Sequence, residues 1–249
     1  DIFGGFVCDT AKAAGVDIRG VVRDPSVATT VSIACVSSSG ERSFMYNPAS
    51  TSAFVREDVP DSLLEAADIV FVAGAMLLTK FDGKPCADLM KRAREMGKMT
   101  VMDTAWDFED VWLPKVVDVL PHLDLFMPSV EEAAKLTGEE DPQRIADRLF
   151  EMGARNVVVK VGKQGALVCP AGGERMLLPT YRAIKPVDTT GAGDAFCAGF
   201  LTGLAQDWDY KRCGEFANAV GTHSFMAIGA PVGSKSMAEI QHFMDTHEV

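Results

Sequence analysis

The sequence predicts an α/β fold built on a mostly parallel sheet with helices on both faces, and three observations carry that prediction. From about residue 68, strand-like and helix-like segments alternate with short connections, the pattern of βαβ units. Strand-like runs such as "DIVFVAGA" are apolar almost throughout, as in strands covered on both sides. The chain has 249 residues, 47% apolar and 24% charged, which is enough for a sizeable core and too apolar for disorder.

The elements follow in order. The opening "DIFGGFVCDTAKAAGVDI" carries Phe3, Phe6, Val7, Ala11 and Ala14 at helical spacing, with Gly15 as the stop. Residues 27–37 and 42–46 are β-branched and aromatic and are joined by "SSGE", a hairpin signal. Its alternation is weak, which leaves one face for another element to cover. After the strand at 68–75, "GKPCADLMKRAREMG" is an amphipathic helix ending at Gly97, and "KMTVMDTAW" is a strand. "EDVWLPKVVDVL" reads as a helix, "LDLFM" as a strand, and "SVEEAAKLTG" and "DPQRIADRLFEMG" as helices. "RNVVVKVG" is a strand, and "GALVCPAGGERMLLP" reads as antiparallel strands around a Gly-Gly turn. Three helices close the chain, at roughly 192–206, 209–227 and 236–247.

Bulk properties narrow the function. A formal net charge of −11 argues against a nucleic-acid or anionic-membrane partner. The longest apolar run, "IVFVAGAMLL", is too short to span a bilayer, and no secretory signal opens the chain. Six scattered cysteines without CxxC or CxH spacing read as free thiols in a reducing cytoplasm. A phosphate-bearing ligand would have to be held locally, by backbone N–H groups, a few cations or a metal.

The stretch "PVDTTGAGDAFCAGF", residues 186–200, supplies such a place. Gly191-Ala192-Gly193 stands where a helix begins, so unpaired N–H groups and the positive end of the dipole face outward, with almost no side chain in the way. The helix that follows is apolar on nearly every side and reads as central. Gly199 and Gly203 would let it pack closely against a neighbour. Asp194 lies in its first turn beside the anion site, placed to take a proton from a hydroxyl that attacks phosphorus. A capping role for Asp194 is the bland alternative. A dinucleotide-binding glycine loop is a poorer fit, because Phe196 stands where the third glycine belongs and Pro186 precedes the segment.

"DTTGAGDAFCAGF" resembles the C-terminal signature of the ribokinase, or PfkB-type, sugar kinase family. The match runs through Asp188, Thr189, Gly191, Ala192, Gly193, Asp194 and Gly199. The resemblance implies a ribokinase-like fold over residues 1–249, with the hairpin at about 27–47 as a small β-lid. It implies Asp194 as catalytic base, Gly191, Ala192 and Gly193 as the anion hole for the transferred phosphate, and Thr189 at the nucleotide. It implies ATP and Mg²⁺ as cofactors and a small sugar as the partner, and it allows a homodimer through the lid.

Other segments gain roles from the same resemblance. In "FMPSVEEAAKLTG", Ser129-x-x-Glu132 is a capping box on its own terms. The family has Asn where Ser129 stands, and its Glu, matched by Glu132, helps hold the Mg²⁺–phosphate assembly. In "VVVKVGKQGALV", Lys160 and Gly162 are implied nucleotide contacts, while Gly165 serves the turn. Asn218 is implied to border the adenine, and His223 reads as a core or rim histidine. Carbonyls near Asp188 and Thr190, with the loop up to Gly229, are implied to form a monovalent-cation site such as one for K⁺. Asp103 ends a strand at the ligand-gathering edge of the sheet, a phosphate-side candidate. Arg42 and Asn47 lie on the lid with substrate or surface roles equally open.

The resemblance begins at "DIFG". In the family, the first sheet strand, half the lid and the groups that grip the sugar lie upstream of this point. The expectation is therefore a partial chain or a truncated relative, whose sugar the sequence does not name. A nucleoside kinase and a non-catalytic binding protein on the same fold remain as alternatives, and a nicotinamide-dependent oxidoreductase as a more distant one.

Overall fold

The computed structural model describes residues 1–36, 42–181, 184–229 and 233–249. The predicted hairpin turn at 38–41, the Arg42 side chain and Pro231 lie outside the described residues.

Helix α1 (Ile2–Ala13) begins at Asp1, whose side chain accepts the Gly4 N–H. Strands β1 (Val31–Val36) and β2 (Arg42–Asn47) pair antiparallel as the two-stranded sheet of the lid. Ile33 and Met45 of this sheet are exposed, while Tyr46 stacks on Phe108 of the main sheet's flank at 5.4 Å. Two short helices that sequence periodicity did not reveal follow, α2 (Ala49–Ala53) and α3 (Asp61–Glu65). Each has only five residues, too few to show a helical repeat.

The main sheet has six strands in chain order: β3 (Ile69–Ala75), β4 (Met99–Thr104), β5 (Leu125–Phe126), β6 (Val157–Lys160), β7 (Ala166–Cys169) and β8 (Met176–Leu178). The first four run parallel, and β7 and β8 are added antiparallel. Helices α4 (Lys84–Glu95), α5 (Val130–Thr137) and α6 (Pro142–Glu151) connect the parallel part. Helices α7 (Ala192–Leu204), α8 (Tyr210–Ser224) and α9 (Met237–Thr246) close the chain.

The strands are apolar throughout because each serves two cores. Met102, Phe126, Val157 and Val159 face one side, with Met90, Ile145 and Leu149 of the connecting helices. Their immediate neighbours Val101, Leu125 and Val158 face the other, with Phe196, Phe200 and Ala217 of α7 and α8. Period-two alternation is therefore present in space and invisible in polarity. The close approach of α7 and α8 rests on small residues, since a methyl group at Gly199 would sit 2.8 Å from the Ala217 Cα.

The helix expected at 109–120 is not formed. The segment makes two 3₁₀ turns, Leu113–Lys115 and Leu120–His122, each with a proline among its first residues. The buried Asp107 carboxylate instead gathers the N–H groups of Glu109, Val111 and Trp112 and the Lys115 ammonium, the last at 2.6 Å. Asp110 and Trp112 take left-handed conformations, with φ of 55° and 58°, to allow it. This strap follows directly on β4 and anchors the end of that strand.

Lys115→Met is expected to cost about 3 kcal/mol, because Asp107 would be left buried without its cation. Burial opposes the Asp107 charge, yet Lys115 and the three N–H donors hold its pKa below the ordinary 3.8. The group's contribution is thus complete above about pH 4 and is lost as pH falls through the lower folded value. Chemical denaturation at pH 7 and at pH 3 measures both effects, and the penalty of the substitution should shrink at the lower pH.

Candidate active site

The carboxyl ends of the parallel strands share one edge, where crossover sheets gather ligands. Asp103 lies near the end of β4, Ser129 follows β5, and Lys160 ends β6. Ser129 and Lys160 are joined by an isolated parallel bridge, which brings the start of α5 beside the Lys160 backbone. The start of α7 comes to the same edge, since a methyl group added at Gly193 would meet Lys160 Nζ at 3.5 Å.

Gly191 caps α7 in the left-handed conformation, φ 78°, without a side-chain cap bond. The Ala192 N–H turns back to the Thr189 carbonyl, and the Ala195 N–H bonds to the Gly191 carbonyl. The N–H groups of Gly193 and Asp194 have no acceptor among the described residues. They form an outward-facing pair of donors at the positive end of a 13-residue helix. The Asp194 carboxylate is exposed beside them and makes no bond to a described residue. A cap would be engaged with the first-turn amides, so the capping role does not describe Asp194. The helix is less central than its composition suggests, with Phe196, Cys197, Gly199, Phe200 and Gly203 buried but Asp194 and Ala198 exposed.

The loop before α7 is tied to the end of α8. The Asp188 carboxylate accepts the N–H groups of Thr190 and Gly229, each at 3.0 Å, and the N–H groups of Val187 and Asp188 reach the Phe225 carbonyl. Asp188, Thr190 and Gly229 thus lie together.

The turn after β6 holds Lys160 in place. The Val161 N–H bonds to the Gly165 carbonyl and the Gly165 N–H to the Gly162 carbonyl, closing a 3₁₀ turn over Gly162–Gln164. Gly165, φ 99°, cannot be replaced in this geometry, because a methyl group there would sit 2.0 Å from the Leu178 carbonyl oxygen.

Glu132 closes the predicted capping box: Ser129 Oγ accepts the Glu132 N–H, and Glu132 Oε2 accepts the Ser129 N–H. The same Oε2 accepts the Thr104 hydroxyl at 2.8 Å. Oε1 has no partner among the described residues. No three His, Cys, Asp or Glu side chains converge on a metal position among the described residues. That donor set fits Mg²⁺ carried by nucleotide phosphates and waters with a single protein carboxylate.

Beneath the edge lies a cluster that short-range sequence patterns did not reveal. Lys160 Nζ donates to Asp103 Oδ1 at 2.6 Å, and Cys197 Sγ donates to Asp103 Oδ2 at 3.2 Å. The Asp103 side chain is 6% exposed and that of Lys160 13%. Burial pushes the Asp103 carboxyl up from its ordinary value, with Lys160 drawing it back. Burial also works against the Lys160 ammonium, but Asp103 outweighs it, and Lys160 titrates above its usual range. The Cys197 thiol is held well above its ordinary value by burial and stays protonated.

Asn218 is buried on α8, with its amide donating to the carbonyls of Leu178 and Pro179 at 2.9 and 3.2 Å. It supports the wall of the site, and its two donated hydrogens are already engaged. His223 Nδ1 meets the Gly233 carbonyl at 3.1 Å at the rim of a groove of about 530 Å³ between α8 and α9. Gly221, two residues earlier, packs on the start of α7, where an added methyl group would meet the Ala192 carbonyl oxygen at 3.3 Å.

Comparison with known proteins shows the family and the fold. The sequence pattern described as "pfkB family carbohydrate kinase" matches residues 1–232. A 2-dehydro-3-deoxygluconokinase of Bacillus subtilis is 26% identical over 98% of this chain and 78% of its own length. An aminoimidazole riboside kinase of Salmonella typhimurium is 27% identical over 100% of this chain and 81% of its own. An E. coli protein described as a ribokinase II, solved with ATP and Mg²⁺, superposes with a TM-score of 0.85 at 27% identity, covering 99% of this chain and 80% of that one.

Proposed function

Because the chain belongs to the pfkB family of carbohydrate kinases, we propose that it moves the γ-phosphate of ATP to a sugar hydroxyl with Asp194 as general base and the amides at the start of α7 as anion hole. One observation carries this reading: two amides and a carboxylate that have no partner among the described residues stand side by side at the first turn of one helix. The amides receive the negative charge that spreads over the equatorial oxygens in a loose transition state. Asp194, bonded to no described residue, accepts the proton of the attacking hydroxyl and orients its oxygen. The nucleoside end of ATP then runs past Thr189 and Gly162 toward α8, where the buried Asn218 backs the adenine side.

Glu132 would hold Mg²⁺ through Oε1, directly or through water, while Oε2 keeps the capping box closed, and the metal would supply charge neutralisation at the phosphates. The joined loops at 187–190 and 225–229, with Asp188, Thr190 and Gly229, are read as the seat of a monovalent cation. The β1–β2 lid excludes water from the acceptor, which a kinase needs to avoid hydrolysing ATP.

Glu132→Gln separates the metal role from the cap. Gln serves the capping box as well as Glu does. The thermal midpoint should therefore hold, while the Mg²⁺ concentration for half-maximal activity rises by about tenfold or more, as for other groups that support a metal. An unchanged Mg²⁺ requirement would leave Glu132 as a cap alone.

The reaction itself is tested by ADP release from Mg·ATP across pentoses, hexoses, keto sugar acids and ribosides. The last two classes enter because relatives are named for such acceptors. Release that depends on one acceptor supports the proposal. Wild-type protein that binds Mg·ATP but phosphorylates no member of the panel would contradict it.

A further inference from the structure

We propose that Asp103 is a positioning residue for phosphoryl transfer, holding the Lys160 ammonium at the floor of the anion seat so that its remaining proton meets the γ-phosphate. The inference rests on the reading of Gly191–Gly193 as the γ-phosphate site and adds to it a cation and the group that aims it.

The geometry supports this in three ways. First, Lys160 Nζ lies 3.5 Å from the place where a side chain on Gly193 would begin, next to the two amides that have no acceptor among the described residues. A residue larger than glycine would stand between the ammonium and whatever occupies the seat. Second, two of the three ammonium protons are directed at the Asp103 carboxylate and, at 3.8 Å, the Cys197 sulfur. No acceptor among the described residues takes the third. Third, three of the roughly four acceptor positions of Asp103 are taken: Oδ1 accepts Lys160 and the Thr104 N–H, and Oδ2 accepts the Cys197 thiol. With its side chain 6% exposed, Asp103 lies beneath the surface that a ligand would touch and acts through Lys160.

A buried ion pair of this kind is a poor way to gain stability. Its desolvation commonly cancels its attraction, and apolar residues of similar volume often serve as well. Its value lies in presenting a fixed positive charge in a low dielectric, where it acts strongly on a phosphoryl group. The chain's net charge of −11 makes a local cation the more necessary. The arrangement also joins the two halves of the phosphate site. Thr104 donates its N–H to Asp103 and its hydroxyl to Glu132, so the cation and the metal-binding carboxylate are held by one residue pair at the end of β4.

The test is a double-mutant cycle on the full chain, using Lys160→Met, Asp103→Asn and the two combined. Calorimetry measures the affinity for Mg·ADP and for the Mg²⁺ complex of the non-hydrolysable ATP analogue AMP-PCP, without any sugar. Thermal melts establish that each variant is folded. A charge-assisted hydrogen bond to the γ-phosphate should make Lys160→Met lose about tenfold or more in AMP-PCP affinity, with Mg·ADP nearly unchanged. Asp103→Asn should give a smaller loss of the same kind, and none beyond that of Lys160→Met when the two are combined.

A purely structural pair would lower the melting temperature and leave the ratio of the two affinities at its wild-type value, which overturns the proposal. Equal losses from Asp103→Asn in both backgrounds would show that Asp103 acts independently of Lys160, which also overturns it. If wild type binds neither nucleotide, the nucleotide reading of the site fails first, and the proposal with it. If wild type prefers AMP-PCP and the variants lose only that preference, the proposal stands even before the sugar is known.

Discussion

Replacing Asp194 by Asn is expected to lower kcat by about 10²- to 10⁴-fold, the range a general base contributes, with the affinity for Mg·ATP held within about twofold. The carboxylate is exposed and bonded to no described residue, so its replacement breaks no contact between described residues. Asn retains the shape and can still accept a hydrogen bond from a sugar hydroxyl, but it cannot take the proton. The loss of a negative charge in the first turn of α7 should cost about 0.3–1 kcal/mol in stability, which a melt will register as a small shift. The anion seat gains rather than loses from that change, because a like charge beside the γ-phosphate is removed. Turnover and affinity must therefore separate. A variant that keeps most of its turnover would sink the assignment of Asp194 as base, and one that loses nucleotide affinity in parallel would place the carboxylate in binding instead.

Gly165→Ala is expected to destabilise the protein by about 4 kcal/mol, a large share of a typical domain's 5–15 kcal/mol. The backbone there has φ 99° and ψ −124°, a region that side chains avoid. A methyl group would meet the Leu178 carbonyl oxygen at 2.0 Å, and the Pro179 carbon and Thr180 nitrogen at 2.9 Å. That carbonyl also accepts the Asn218 amide, so moving it disturbs both the β7–β8 pairing and the seat of α8. Gly172→Ala provides the control. Its φ is also positive, 67°, but nothing lies within 4 Å of an added methyl, so it should cost only about 1 kcal/mol. Denaturant melts of the two variants compare them directly, and equal penalties would show that the close approach at Gly165 is relaxed at little cost. Because the Gly165 turn holds Lys160, any folded fraction of Gly165→Ala should also bind ATP poorly.

What could be read from the sequence was local. The parallel sheet was legible because each strand and each helix carries its own signal, and the two cores only required the strands to be apolar. The open start of α7 was legible because its glycines and its acid are adjacent in the chain. The Ser129–Glu132 box was legible for the same reason. The segment at 109–120 was misread because its apolar spacing fits a helix, while its conformation is decided by Asp107 and Lys115, two residues whose pairing no periodicity shows. Asn218 presents in the sequence as a polar helix residue that the family resemblance implies to border the adenine, and only the fold shows its amide committed to Leu178 and Pro179. The cluster below the seat was hidden by distance along the chain. Asp103 and Lys160 are 57 residues apart, Lys160 and Cys197 37, and Asp103 and Cys197 94. The one available clue was that Asp103 and Lys160 each close a parallel strand, and such strand ends meet at one edge. Cys197 gave no clue beyond lying one helical turn past Asp194.

If Asp194 is the base and the α7 amides the anion hole, the transferred phosphate rests on the start of α7, beside Asp194 and above Lys160. A crystal structure of the protein with Mg²⁺ and AMP-PCP decides this. The γ-phosphate oxygens should lie within hydrogen-bond reach of the Gly193 and Asp194 N–H groups and of Lys160 Nζ, with Glu132 facing the metal. A nucleotide bound with its γ-phosphate away from the α7 N-terminus, leaving those amides to solvent, would contradict it.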